Sequence, residues 1–123
     1  MASDAEKVVT EFCNAWPRKN VDELLGFFTE DAVYHNIPME AARGKAAIRA
    51  TINSFLPGSK SIEFKILKSA SNGNVVFNER VDTIDLGAKK IQLPVTGVFE
   101  ISGGKISAWR DYFDLATYTK QMS

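Results

Sequence analysis

"IQLPVTGVFEI", from Ile91 to Ile101, carries Ile91, Leu93, Val95, Gly97, Phe99 and Ile101 on one parity and no polar side chain among them. The other parity holds Gln92, Thr96 and Glu100. An alternation of period two is the mark of a strand with one face buried. Its neighbours in sequence repeat the theme. "SGGK" (Ser102–Lys105) makes a tight turn into "ISAWRDYFD" (Ile106–Asp114), and "LGAKK" (Leu86–Lys90) joins it to "VVFNERVDTID" (Val75–Asp85). "SNGN" (Ser71–Asn74) is a hairpin signal back to "SIEFKILKSA" (Ser61–Ala70), where Ile62, Phe64 and Ile66 alternate. The second half of the chain is therefore read as antiparallel strands. Pro94, with no N–H to donate, predicts a bulge or an edge register in its strand.

The first half reads mostly as helix. Ser3 and Glu6 fit a capping box ahead of Val8, Val9, Phe12 and Trp16, and Pro17 stops that helix. Asn20 with Glu23 signals a second helix with Val21, Leu24, Leu25 and Phe28 as its apolar stripe. "DAVYHNIP" (Asp31–Pro38) turns extended, and a third helix is expected over Lys45–Phe55, ended by "PGS". Helices followed by strands predict an α+β fold: a curved, mixed, mostly antiparallel sheet forming a cone, with the N-terminal helices packed on it around an apolar pocket.

Three charges bear on that pocket. On the last strand Trp109 and Phe113 mark the inward face, and Asp111 lies between them on the same parity. On the strand from Val75, one face holds Val76, Asn78, Arg80, Asp82 and Ile84, the other Val75, Phe77, Glu79, Val81 and Thr83. Periodicity does not choose between them, and a solvated Arg80–Asp82 ion pair is the simpler reading of that spacing. If Arg80 and Asp82 face inward, Asp111 can join them, since a guanidinium fork serves two carboxylates at once. Two carboxyls around one arginine retain a negative charge, which holding one proton relieves. One can then give a proton while the other takes one, chemistry suited to adding water to a strained ether. Tyr34 and Asn36 also share a face and offer a hydroxyl and an amide to hold a water molecule, with His35 pointing away.

These segments, "YHNIP", "SNGNVVFNERVD" and "GVFEISGGKISAWRDYFD", resemble the limonene-1,2-epoxide hydrolase family, part of the cone-shaped folds related to nuclear transport factor 2 and ketosteroid isomerase. The resemblance runs from Tyr34 to the C-terminal end. It implies Asp82 as the acid that protonates the epoxide oxygen, Asp111 as the base for water, Arg80 as their bridge, and Tyr34 and Asn36 as the groups that position the water. It implies one-step hydrolysis to a vicinal diol, no metal or organic cofactor, and a homodimer. Ile84, Leu93, Val95 and Phe113 are expected to line the substrate pocket, by facing and resemblance together. The segment before Tyr34 and the turn "LGAKK" look shorter than in the namesake enzyme.

Composition is consistent with one domain spanning residues 1–123. Hydrophobic residues make up 45% and charged residues 24%, ordinary for a globular chain. Fifteen basic residues balance fifteen acidic ones with no basic run, so nucleic acid and anionic membranes are not expected partners. One cysteine and one histidine exclude an internal disulfide and a cysteine- or histidine-rich metal site. The polar start "MASDAEKV" and the absence of a long apolar run predict a cytoplasmic protein. Beside hydrolysis stand three other functions: an epoxide-opening cyclase, a ketosteroid-type isomerase, whose base Arg80 would weaken, and a non-catalytic binding domain. Cys13 and Trp16 read as core, Glu79, Arg110 and Asp114 as solvated or interfacial, and Gly97 as a point of strand bending.

Overall fold

The structure is a computed structural model and describes residues 3–123. Helix α1 (Asp4–Ala15) starts where Ser3 Oγ accepts from Glu6 N at 3.1 Å, and it buries Val9, Phe12 and Cys13. A single 3₁₀ turn over Trp16–Arg18 follows, with Pro17 where the helix would continue. Helix α2 (Val21–Leu25) is capped by Asn20 Oδ1, which accepts from Glu23 N at 3.1 Å. Both sequence-read caps are thus present.

The remaining elements are β1 (Phe28–Asn36), β2 (Ala42–Arg43), α3 (Lys45–Asn53), β3 (Ser61–Asn72), β4 (Val75–Asp85), β5 (Lys90–Ser102), β6 (Lys105–Tyr112) and α4 (Leu115–Met122). The strands form one curled sheet in the order β2-β1-β6-β5-β4-β3. Only β1 and β6 run parallel; the other pairs are antiparallel. The α+β expectation, with helices packed on a mostly antiparallel sheet, is what is observed. Among the described residues no helix is long and apolar enough to cross a membrane.

The inner face of the sheet meets α1 in an aromatic core. Phe12 sits edge-on to Trp109 at 5.0 Å and to Phe28 at 5.3 Å, and Trp16 stacks on Phe64 at 4.6 Å. All of β5's odd-numbered positions from Ile91 to Ile101 point to that face. Burying each such large side chain contributes about 1.5–3 kcal/mol.

Four sequence expectations need correction. The first strand starts at Phe28 rather than Asp31: α2 is only five residues long, and Phe28 is drawn into the core opposite Ile106. The two-residue strand Ala42–Arg43 was not foreseen. Helix α3 stops at Asn53, two residues short of Phe55. The last strand ends at Tyr112 rather than Asp114, and a helix not foreseen, α4, follows it; Asp114 is solvated as expected and caps that helix by accepting from Thr117 N at 3.2 Å.

Helix α4 also explains Pro94. The first half of β5 extends past β6, whose pairing begins at Thr96. There Gln121 of α4 supplies the missing partner: its Oε1 accepts from Gln92 N at 2.8 Å, and its Nε2 donates to Gln92 O at 2.9 Å. Backbone groups two residues apart point the same way, so Pro94 also turns its nitrogen from β4 toward this edge, and no ladder bond is lost.

Candidate active site

Strand β4 turns Val76, Asn78, Arg80, Asp82 and Ile84 to the inner face and leaves Glu79 and Val81 on the other. The register aligns Asn78 with Gly97, Arg80 with Val95 and Asp82 with Leu93 on β5, and Gly97 in turn with Asp111 on β6. Arg80 is fully buried at 0% exposure, and Asp82 and Asp111 retain 7% and 3%.

A guanidinium has five N–H donors, and five hydrogen bonds occupy them. Nε donates to Asp82 Oδ1 (3.0 Å), and Nη2 to Asp82 Oδ2 (2.8 Å) and Asp111 Oδ2 (2.9 Å). Nη1 donates to Asp111 Oδ1 (3.2 Å) and Asn78 Oδ1 (3.1 Å). Phe64 covers the cation at 4.9 Å from its ring centroid, a favourable cation–π position. Room for the fork comes from Gly97. A Cβ there would stand 2.4 Å from Arg80 Nη1 and 3.0 Å from Asn78 Oδ1. Gly97 therefore accommodates the arginine, a role that its reading as a bend did not contain.

Burial raises the Asp82 carboxyl from its ordinary value to about 6, against the downward pull of Arg80. Burial also opposes the charge on Arg80, but Asp111 and Asp82 more than reverse this and hold it well above its usual value. The Cys13 thiol, 3.7 Å from Asn78 Nδ2, is pushed up to about 12 by burial, so it remains a neutral core group. Burial likewise raises the Tyr34 phenol. Its hydroxyl donates to Asn36 Oδ1 at 3.2 Å, and its ring stacks on Trp109 at 4.1 Å. The parallel register of β1 and β6 places Tyr34 beside Trp109 and Asn36 beside Asp111. His35 stays off the inner face, its Nε2 2.8 Å from Met39 O.

Asp82, Asp111, Tyr34 and Asn36 all line one cavity of about 120 Å³ with a predominantly apolar wall. Ile84, Leu93, Val95 and Phe113 also line it. Arg80 does not line it and lies behind the two carboxyls. Six further lining residues were not assigned to the pocket from sequence: Met39, Phe55, Ile62, Phe64, Ile91 and Tyr118. Alternation in β3 and β5 could have found Ile62, Phe64 and Ile91, and the apolar stripe around α3 could have found Phe55. Met39 and Tyr118 come from a loop and from α4, where no periodic signal points inward. Asn78 was assigned to the right face of its strand without a role, and Trp109 was read only as a marker of the inward face. The polar group of each now touches the trio.

A model of the limonene-1,2-epoxide hydrolase catalytic domain matches residues 3–123. The epoxide hydrolase EphG of Mycobacterium tuberculosis is 35% identical over 107 residues, covering 87% of this chain and 71% of that protein. The solved structure of an M. tuberculosis epoxide hydrolase of the same type superposes with a TM-score of 0.85 at 31% identity, over 96% of this chain and 88% of that one. SalBIII, an epoxide hydrolase/cyclase-like enzyme with a role in pyran ring formation in the polyether salinomycin, has a TM-score of 0.83 at 19% identity, over 92% of each chain. This last likeness is one of fold.

Proposed function

Because this chain belongs to the limonene-1,2-epoxide hydrolase family, we propose that it adds water in one step to a small apolar epoxide, giving a vicinal diol. The observation that carries the reading is the pair of carboxyls, Asp82 and Asp111, clamped on one buried arginine while both line the same apolar cavity.

In this reading Asp82 is the acid and Asp111 the base. The Asp111 carboxylate takes a proton from water as the water oxygen bonds to an epoxide carbon. The carbon–oxygen bond breaks with its electron pair going to the ring oxygen, which receives the Asp82 proton. Water is thereby added across the bond. Asp111 is left protonated and Asp82 ionised, and exchange with solvent resets them. An acid with a pKa near 6 can be protonated at working pH and still release its proton readily. Tyr34 and Asn36 serve as the water holders. With Asn36 Oδ1 occupied by the Tyr34 hydroxyl, the Asn36 amide N–H remains to donate to the water oxygen and the Tyr34 oxygen to accept from it. Arg80 stays charged and keeps the product state, with its proton moved from one carboxyl to the other, close in energy to the starting state.

Asp82→Asn and Asp111→Asn should each lower diol formation by about 10³-fold while the circular dichroism spectrum is retained; wild-type rates in both would end the mechanism. Single turnover in heavy-oxygen water, with enzyme in excess, should label the first diol formed. An unlabelled first diol means a covalent ester on the protein. A ring ether formed from a hydroxy-epoxide in place of a diol would favour a cyclase.

A further inference from the structure

The two carboxyls sit almost symmetrically on Arg80. The guanidinium gives Asp82 two N–H groups, Nε and Nη2, and gives Asp111 two, Nη1 and Nη2. One contact breaks the balance: Trp109 Nε1 donates to Asp111 Oδ1 at 2.6 Å. Asp111 thus accepts from three donors and Asp82 from two. The indole has no freedom to turn away. It is fully buried, stacked on Tyr34 at 4.1 Å and 9° and on Phe99 at 5.5 Å and 15°, with Phe12 edge-on at 5.0 Å.

We propose that Trp109 is a positioning residue that assigns the shared proton, through its N–H to Asp111, to Asp82 rather than to Asp111. An N–H donor stabilises a carboxylate more than the protonated carboxyl, so the anion settles on Asp111. Among the described residues no other side chain donates a hydrogen bond to just one of the two carboxyls. Arg80 serves both carboxyls. Asn78 bonds Arg80 and Cys13, and Tyr34 bonds Asn36. On the cavity side β5 offers only apolar Ile91, Leu93 and Val95, and α4 adds the Tyr118 side chain. The inference rests on the acid and base roles proposed above and gives their direction a cause: which carboxyl starts as acid is set by a tryptophan two residues from the base.

The chain has two tryptophans, and the second makes the test clean. Among the described residues, Trp16 Nε1 is the buried side-chain polar atom without a hydrogen-bond partner. Replacing both tryptophans by benzothienylalanine, which has sulfur in place of the N–H and nearly the same shape, therefore removes one hydrogen bond, that to Asp111. With aspartate carboxyl carbons labelled and assigned through Asp82→Asn and Asp111→Asn, NMR titration of the native protein should show the step near pH 6 on the Asp82 carbon. In the substituted protein the step should divide between the two carbons, the preference for Asp82 falling about tenfold. kcat should fall with it and KM change little. Trp109→Phe, if folded, should divide the step in the same way. A step that stays wholly on Asp82 overturns the proposal, even where the rate falls, because a merely structural tryptophan lowers the rate without moving the proton. The titration uses no substrate, so a failure of epoxide hydrolysis and a failure of this assignment are read separately.

Discussion

Two arginine–carboxylate clusters occupy opposite faces of one sheet. Inside, Arg80 holds Asp82 and Asp111 with no exposure of its own side chain. Outside, Arg110 Nη1 donates to Glu100 Oε2 at 2.6 Å, with side chains 31% and 41% exposed. Arg110 is next to Asp111 in sequence, so the alternation of one strand separates the two. The outer bond is among the shortest in the protein, yet water solvates both its partners whether or not it forms, and such pairs contribute about 0–1 kcal/mol. The inner groups have given up water, so each is held by the others and none can be removed alone. Bond length does not rank these clusters; access to solvent does.

The strongest way to break the comparison is to make one substitution on both faces. Arg80→Leu leaves two carboxyls buried without a cation and should cost about 3–5 kcal/mol in denaturant unfolding, with diol formation lost. Gly97→Ala comes next. Where space is free, this change stabilises by limiting the unfolded chain. Here the new methyl meets Arg80 Nη1 at 2.4 Å, and the expected sign is reversed, a loss of about 1–3 kcal/mol with reduced activity. A stabilised, active Gly97→Ala protein would mean that the guanidinium is not held as described.

A smaller effect is read by pH. The Asp82 carboxyl is raised from 3.8 to about 6 on folding. The folded protein therefore binds the extra proton between those values. Its contribution is fully present below pH about 4 and is lost as pH rises through 6, at most roughly 3 kcal/mol. Stability of the wild type relative to Asp82→Asn should fall over that window, and turnover should decline above it as the acid form is depleted. The smallest effect belongs to the outer face. Arg110→Leu should change stability by no more than about 1 kcal/mol, weaken with added salt, and leave diol formation intact.

Much of this arrangement was legible in the residues because strand alternation is a local property. The odd face of β5 was unambiguous, and Asp111 between Trp109 and Phe113 was marked as inward by its flanks. The strand from Val75 was not, because Val75, Phe77 and Val81 on one face weigh about as much as Val76 and Ile84 on the other. Asn78 illustrates the limit: its parity follows from sequence, but its bond to Arg80 depends on how far the fork reaches. Helix α4 was missed because reading the strand through Asp114 absorbed its cap.

The sequence by itself determined the alternating faces, the helix caps and the residue types able to exchange a proton, because backbone period and side-chain chemistry need no partner. Only the tertiary structure decided that Arg80 faces inward, that Gly97 makes space for it, and that Trp109 gives Asp111 one donor more than Asp82 has. Those are consequences of register between strands, where a buried charge is tolerable only if every donor finds an acceptor, and that condition is met in three dimensions at once.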